Sequence, residues 1–480
     1  MNNKGIEVSS EIGTLRRVIV HSPDGGLGKV IPTKAQDWLF EDIIHLESMR
    51  KNEYDLYIKL LLYFLDPEKI KDKINEIDKA ENQRKFYKPD NPQYFNSDKV
   101  LEPQFLLSQI LEDREVRLRL VASCCAHEKT SYLLQEELLL LSSLELAKTL
   151  ISGIVPNGRM IFPPIPNFIF TRDIGITVNN HLLLSRPATR TRAREAILTR
   201  FIVFNHPTFN KIKDNIIEIS STEDYFLLDD EEKELKRVTA EGGDIMMVAP
   251  NHLLIGVSER TTTHAANQIM QRLFQHNVVE KVTVLKIPQK RAYMHIDTTF
   301  TQVKRNLWVL FAPFSKYGKE MENRDLIPSL GERNDSTDLE ILQFRKEHIH
   351  TPKKFPYLED LLDDISQKDL KSTMPTEFIY SGDGEFPFGQ REQWTDSCNV
   401  LALKEGVVIG YDRNDRTANG FKKKGFEVVH ATTLLSQFKS GEKQPENITN
   451  TLILLPSAEL SRARGGSHCL SMPILRESIF

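Results

Sequence analysis

One pattern constrains this chain more than any other: two short apolar runs joined by a tight turn, then a helical run, then another apolar run. Ile176–Val178, the turn Asn179-Asn180-His181 and Leu182–Leu184 lead into a helical run from Arg190 to Phe204. The order returns with Ile245–Val248, Pro250-Asn251-His252, Leu253–Val257, a helix from about Thr262 to Gln275 and Val282–Leu285. A third copy runs Val400–Leu403, Lys404-Glu405-Gly406, Val407–Gly410, a helix over Asp415–Lys424 and Phe426–Val429. Short apolar runs bounded by turn residues argue strands, and three-to-four-residue spacing argues helices, so each copy reads as a ββαβ unit. One such unit cannot bury its apolar face alone; several packed together make a core.

The rest of the chain breaks this rhythm. A strand-like run, Arg17-Val18-Ile19-Val20, opens it, and residues 37–150 turn helical. There Leu56, Leu60, Tyr63 and Phe64 are expected on one helix face, and Leu111, Leu118, Val121 and Cys125 on another, with Lys88-Pro89-Asp90-Asn91-Pro92 breaking the series. This helical subdomain reads as a structural or partner-binding bundle without chemistry. The α/β part then comprises residues 1–36 and 151–480, interrupted by two insertions, 210–238 and 313–391. The acidic run Asp229-Asp230-Glu231-Glu232 in the first reads as a solvated face, and Ser381-Gly382-Asp383-Gly384 in the second as a plain turn.

Composition narrows the partners. With 480 residues, 40% hydrophobic and 27% charged, the chain exceeds one ordinary core and looks globular. A net charge of -4 gives no reason to expect nucleic acid. No signal peptide or membrane span is read: the richest stretch, Leu133–Leu150, carries Glu136, Glu137, Glu145 and Lys148 and fits a partly buried helix. Four cysteines, Cys124, Cys125, Cys398 and Cys469, show neither Cys-x-x-Cys nor zinc-ligand spacing, which argues for a reducing, cytoplasmic compartment and against a metal.

Four clusters carry the chemistry. Arg464-Gly465-Gly466-Ser467-His468-Cys469 puts a thiol after a flexible turn with two basic side chains on the same loop, a setting for a nucleophile. Alone, it fits a tight turn leading a buried cysteine into the last strand still better. Glu241-Gly242-Gly243-Asp244 places two carboxylates beside a compact backbone, or simply makes a Gly-Gly corner. His295-Ile296-Asp297 sets an imidazole and a carboxylate on one side of an extended segment, or holds a buried, satisfied histidine. Pro166-Asn167-Phe168-Ile169-Phe170-Thr171-Arg172-Asp173 is a polar loop that a capping role explains equally well. Together they hold a thiol, an imidazole, several carboxylates and several arginines at the edges of the repeated units, an inventory for nucleophilic attack on a cation.

The ordered set Asn167–Asp173, Glu241–Asp244, Ser258-Glu259-Arg260-Thr261, Met294–Thr298 and Arg464–Cys469 resembles the arginine deiminases. The similarity extends to Leu15–Pro23 and to Trp38-Leu39-Phe40-Glu41-Asp42, and the helical stretch before Leu150 matches a helical insertion of that family. The resemblance implies an α/β five-bladed propeller, the pentein fold, of repeated ββαβ units with an inserted helical subdomain. It implies hydrolysis of L-arginine to L-citrulline and ammonia through an amidino-cysteine, without metal or organic cofactor, and leaves room for a homo-oligomer.

Residue by residue, the resemblance makes Cys469 the nucleophile and His295 the general acid and base. Asp173 and Asp297 would grip the guanidinium, and Glu241 would hold both imidazole and substrate. Arg192 and Arg260 would hold the substrate α-carboxylate, Asn167 its α-amino group, Arg464 would be a mobile arginine at the entrance, and Asp244 would join the substrate-binding set. The chain departs from the family in its two insertions and in Gln393-Trp394-Thr395-Asp396-Ser397-Cys398. Rival readings are an amidinotransferase, a hydrolase of another guanidino compound such as agmatine, and a non-catalytic arginine sensor. Two arginines at the far end disfavour agmatine, which has no carboxylate.

Overall fold

The computed structural model describes residues 5–39, 42–71, 73–79, 82–220, 227–316 and 339–480. Phe40 and Glu41 of the motif at Trp38, residues 221–226 and 317–338 of the two expected insertions, and the side chain of Asp230 lie outside the described residues. The fold is mixed α/β, with five sheets among those residues. In four of the sheets an antiparallel pair is joined by a later strand parallel to its second member, and in the fifth Leu15–Ile19 pairs antiparallel with Met472–Arg476 and parallel with Val100–Leu101; the parallel pairings require crossovers.

The first unit read from the sequence has Gly175–Val178 antiparallel to His181–Leu184, a helix over Ala193–Asn205, and Ile216–Ile217 parallel to His181–Leu184. The second has Ile245–Ala249 antiparallel to His252–Val257, a helix over Thr263–Gln275, and Lys281–Lys286 parallel to His252–Val257. Strands of this second unit are buried on both faces, which is why they read as near-continuous apolar runs. Hairpin corners fall where left-handed backbone is tolerated, at Asn179 (φ 51°) and Gly406 (φ 76°).

The third copy differs from its expected form. Leu401–Lys404 pairs with Val407–Tyr411, but the strand beside Val407–Tyr411 is Thr451–Leu455, and Glu427–His430 lies outside it. A second helix, Ala431–Ser440, carries the chain from that edge strand back inward. Two further units escaped the sequence reading. Phe300–Lys304 and Leu307–Leu310 form a hairpin completed by Glu377–Tyr380, far downstream. Met472–Arg476 pairs with Leu15–Ile19, and Val100–Leu101 runs parallel to Leu15–Ile19.

The stretches expected to be insertions therefore supply sheet strands. Ile216–Ile217 belongs to 210–238, and Glu377–Tyr380 to 313–391, as do Glu340–Arg345 and Lys353–Phe355, which extend the sheet of the second unit. Ser381–Gly384 is the expected turn, with Gly382 (φ 59°) and Asp383 (φ 59°) in left-handed backbone. In the helical stretch, Leu60 and Tyr63 are buried and Leu56 and Phe64 pack against the same core, as the spacing predicts. The other face is corrected: Asp113 caps a helix over Arg114–His127, leaving Leu111 outside it. The buried stripe is Val116, Leu120, Val121, Cys124 and Cys125, and Leu118 is 40% exposed. Leu133–Leu150 is two helices, Tyr132–Leu139 and Ser143–Ser152, because Ser142 and Glu145 make a capping box between them. No helix among the described residues is long and apolar enough to cross a membrane.

Trp308, fully buried in the hairpin of Phe300–Lys304 and Leu307–Leu310, donates from Nε1 to Ser366 Oγ at 3.0 Å, fastening the stretch around Ser366 to that sheet. Trp308→Ala is expected to cost about 3–5 kcal/mol of unfolding free energy by denaturant titration; a loss below about 1 kcal/mol would show that this indole is not a packed element of the core.

Candidate active site

A chemistry-bearing residue precedes the first strand of every unit. Asp173 stands before Gly175–Val178, Glu241 and Asp244 before Ile245–Ala249, His295 and Asp297 before Phe300–Lys304, Asn399 before Leu401–Lys404, and Cys469 before Met472–Arg476. Asp173, Glu241, His295 and Cys469, with Asn167, Arg192, Arg260 and Arg464, line one cavity. The clusters separated in sequence are thus one site.

The glycines that frame it are there for close approach. A Cβ on Gly242 would lie 2.0 Å from the Arg172 carbonyl oxygen, and one on Gly243 would lie 2.5 Å from His295 Nδ1. His295 has extended backbone, as expected, but Asp297 sits in a single 3-10 turn over Ile296–Thr298 rather than in a strand. Gln393 holds this loop by donating to the carbonyls of Ala292 and Thr298 at 2.9 and 3.2 Å.

Charge organises the site. Glu241 Oε2 accepts from Arg192 Nη1 and pairs with His295 Nε2, both at 3.0 Å, and its Oε1 accepts the Ala188 amide at 3.0 Å. Burial opposes ionisation of Glu241, but Arg192 and His295 outweigh it and hold the carboxyl well below its ordinary range. Burial likewise opposes protonation of His295; Asp173, Glu241 and Asp244 prevail and raise it to about 10. Asp173, Glu241 and His295 lie close enough to hold a cation, and Arg192 Nη1 already bridges the two carboxylates, 2.9 Å from Asp173 Oδ2.

The nucleophile candidate is poised as a thiol. Cys469 is 5% exposed, its amide donates to Asn399 Oδ1 at 3.0 Å, and its Sγ donates to Asp297 Oδ2 at 3.6 Å. Burial pushes its pKa well up, and Asp297, Asp173 and Asp396 push it further. Two buried carboxylate oxygens, Asp173 Oδ1 and Asp297 Oδ1, have no hydrogen-bond partner among the described residues. Such atoms are costly unless something cationic and donor-rich meets them.

The remaining expected residues divide. Arg260 is 4% exposed; its Nε lies 3.5 Å from Glu259 Oε1, an ion pair, and makes no hydrogen bond among the described residues. Asn167 donates from Nδ2 to the Trp38 carbonyl at 2.8 Å. Arg192 is heavily engaged: besides Asp173 and Glu241 it binds Glu195 through Nε at 3.0 Å and Nη2 at 2.9 Å. Arg464, in left-handed backbone (φ 63°), lays its guanidinium 3.4 Å from the Trp394 ring centroid and donates to the Trp394 carbonyl at 3.0 Å. Asp244 departs from its expected substrate contact. Its Oδ2 accepts from Ser258 Oγ at 2.6 Å and its Oδ1 from the Ile296 amide at 3.0 Å, so it fixes the His295 loop instead of facing the cavity.

Sequence reasoning missed Glu195, Asn399 and Glu11. Glu195 stands three residues after Arg192 on the same helical face, the one signal that could have found it. Asn399 and Glu11 lie hundreds of residues from one another and reach the site only through the fold.

A family model described as arginine deiminase matches residues 37–476. The arginine deiminase of Borreliella afzelii is 27% identical over 495 residues, covering 99% of this chain and 98% of its own. That of Staphylococcus aureus strain JH9 is 27% identical over 503 residues, covering all of both chains. Among solved structures, the amidinotransferase SxtG of the saxitoxin biosynthetic pathway from Microseira wollei is 13% identical, with a TM-score of 0.49 over 99% of this chain and 100% of its own.

Two titrations test this electrostatics. Because the Cys469 thiol is raised, its alkylation by iodoacetamide in the free protein should still climb above pH 9, against Cys469→Ala as blank; a plateau below that pH would mean that positive charge governs the sulfur. His295 rises from 6.5 to about 10 on folding, so the stabilisation from its proton is complete below pH 6.5 and lost as pH climbs through 10. Denaturation midpoints should accordingly fall over that window more in the wild type than in His295→Gln, and parallel curves would show a neutral imidazole.

Proposed function

The chain belongs to the arginine deiminase family, and we propose that Cys469 carries the family's reaction here, hydrolysis of L-arginine to L-citrulline and ammonia, through a covalent amidino-cysteine. The observation that carries this reading is the pair of buried oxygens without a hydrogen-bond partner among the described residues, Asp173 Oδ1, 3.8 Å from His295 Nδ1, and Asp297 Oδ1, in a site with a thiol and a protonated imidazole. A guanidinium supplies planar donors to carboxylates in fixed geometry, and its charge offsets the field that holds Cys469 as a thiol. Gripped at its edges, the guanidinium presents one face of its carbon to the sulfur.

In this scheme the Cys469 proton is released to solvent as the cationic substrate binds, the resulting thiolate attacks that carbon, His295 gives its proton to the departing nitrogen, and ammonia leaves with the amidino group on Sγ. The neutral His295 then takes a proton from water, the hydroxide attacks the same carbon, and the C–S bond breaks to release citrulline and the thiolate. Glu241 holds His295 in place throughout. Arg260, with a donor to spare, is the residue we assign to the substrate α-carboxylate, and Asn167 to the α-amino group. Arg192, largely consumed by Asp173, Glu195 and Glu241, has its main role in fixing those carboxylates. Arg464 on its Trp394 platform stands at the entrance.

The five sheets, each built on an antiparallel pair with a third strand parallel to one member and each entered past a site residue, support reading the α/β part as five blades of a propeller around that site, with the 37–150 stretch as its helical addition. Four free buried cysteines support a reducing, cytoplasmic setting.

Purified protein given L-arginine or agmatine, with citrulline and ammonia followed together, tests the proposal. Arginine alone should turn over, and Cys469→Ala should be inert; turnover by that variant would remove the nucleophile assignment. Arg260→Ala should raise KM for arginine about 30-fold, matching a loss on the order of 2 kcal/mol for a buried charge-assisted pair. An unchanged KM would take the carboxylate role from Arg260.

A further inference from the structure

Next to the nucleophile stands a histidine that does not line the cavity, and its surroundings are unusual. His468 Nδ1 lies 2.9 Å from Asp297 Oδ2, and its Nε2 lies 3.3 Å from Glu11 Oε2. Glu11 in turn accepts through Oε1 from Arg172 Nη2 at 2.6 Å. All four side chains are buried: Glu11 is 5%, Arg172 2%, Asp297 0% and His468 3% exposed. The series Arg172, Glu11, His468, Asp297 ends at the sulfur, because Asp297 Oδ2 is also the acceptor for Cys469 Sγ at 3.6 Å.

A neutral imidazole donates from one nitrogen and presents a lone pair at the other. Here both nitrogens face carboxylates, so either tautomer would aim a lone pair at an anion in a buried setting. A ring that donates from both nitrogens satisfies both. With Oδ2 shared by His468 and the thiol, Asp297 has one orientation that leaves Oδ1 without a partner among the described residues. We propose that His468, donating to Glu11 and Asp297 together, is a positioning residue that fixes Asp297 with Oδ2 on the thiol and Oδ1 on the substrate guanidinium. Glu11 and Arg172 act through it, Arg172 being anchored also by donation to the Ile245 carbonyl at 3.1 Å.

The kinetic part of the test rests on the arginine-hydrolysis reading; a spectroscopic part does not. In protein labelled with 15N-histidine at neutral pH, a signal absent from His468→Asn should report hydrogen on both ring nitrogens of His468; a single protonated nitrogen would overturn the proposal whatever the substrate is. For kinetics, Asn offers an amide where Nδ1 stands and Gln one where Nε2 stands. His468→Asn should therefore keep KM for L-arginine within about threefold of wild type, whereas His468→Gln, which cannot reach Asp297, should raise it about tenfold or more. Equal changes in the two would reduce His468 to packing and sink the idea. If the wild type fails to turn over arginine, it is the function reading that falls, and the nitrogen signals still decide the role of His468.

Discussion

Everything at the site depends on the pairing of two strands from opposite parts of the chain, Leu15–Ile19 and Met472–Arg476. Ile19 is opposite Met472, so the loop that ends in Cys469 is delivered to the N-terminal strand. Thr171 Oγ1 then bridges both, donating toward the carbonyls of Ile19 and Leu470 at 2.9 and 3.1 Å, and the Arg172 amide donates to the Cys469 carbonyl at 3.1 Å. The Cys469 loop and the segment that carries Asp173 are therefore joined through backbone, which gives the proposed catalytic groups the rigid support that positioning demands.

Upon that frame the site works as an excess of buried negative charge in partial balance. Arg192 compensates Asp173, Glu195 and Glu241; His295 compensates Glu241 and Asp173; Arg172 compensates Glu11, and His468 lies between Glu11 and Asp297. What stays uncompensated faces the thiol, and burial together with that charge pushes its pKa well up. In the proposed reaction a cationic substrate would complete the balance and activate Cys469 by the same act, coupling binding to reactivity.

How much of this was legible depended on distance along the chain. The units at Gly175–Ile217 and Ile245–Lys286 were readable because their strands and helix are contiguous, with turn residues between them. The hairpin at Phe300–Leu310 was not recognised as a unit because its third strand comes after Tyr357, beyond two strands lent to another sheet. Motif residues such as Glu241, His295 and Cys469 could be nominated from residue type and order. The partners of Asp244 were not legible: sequence shows a carboxylate beside glycines, whereas the donors it accepts from, Ser258 Oγ and the Ile296 amide, are brought together only by packing. Leu118 was misplaced for a local reason: the cap at Asp113 starts a new helix and resets which face is buried.

The strand pair that delivers Cys469 has its partners hundreds of residues apart, and this has a consequence for how the protein assembles. Loop-closure entropy grows slowly with loop length, so the finished molecule gives up little stability to so remote a contact. Rates respond differently: contacts between distant residues form after local ones, and the hairpins at His181, His252 and Gly406 need no distant partner. The placement of Cys469 thus hangs on one of the most remote strand pairings in the chain, and opening of that sheet would part the Cys469 loop from the N-terminal strand.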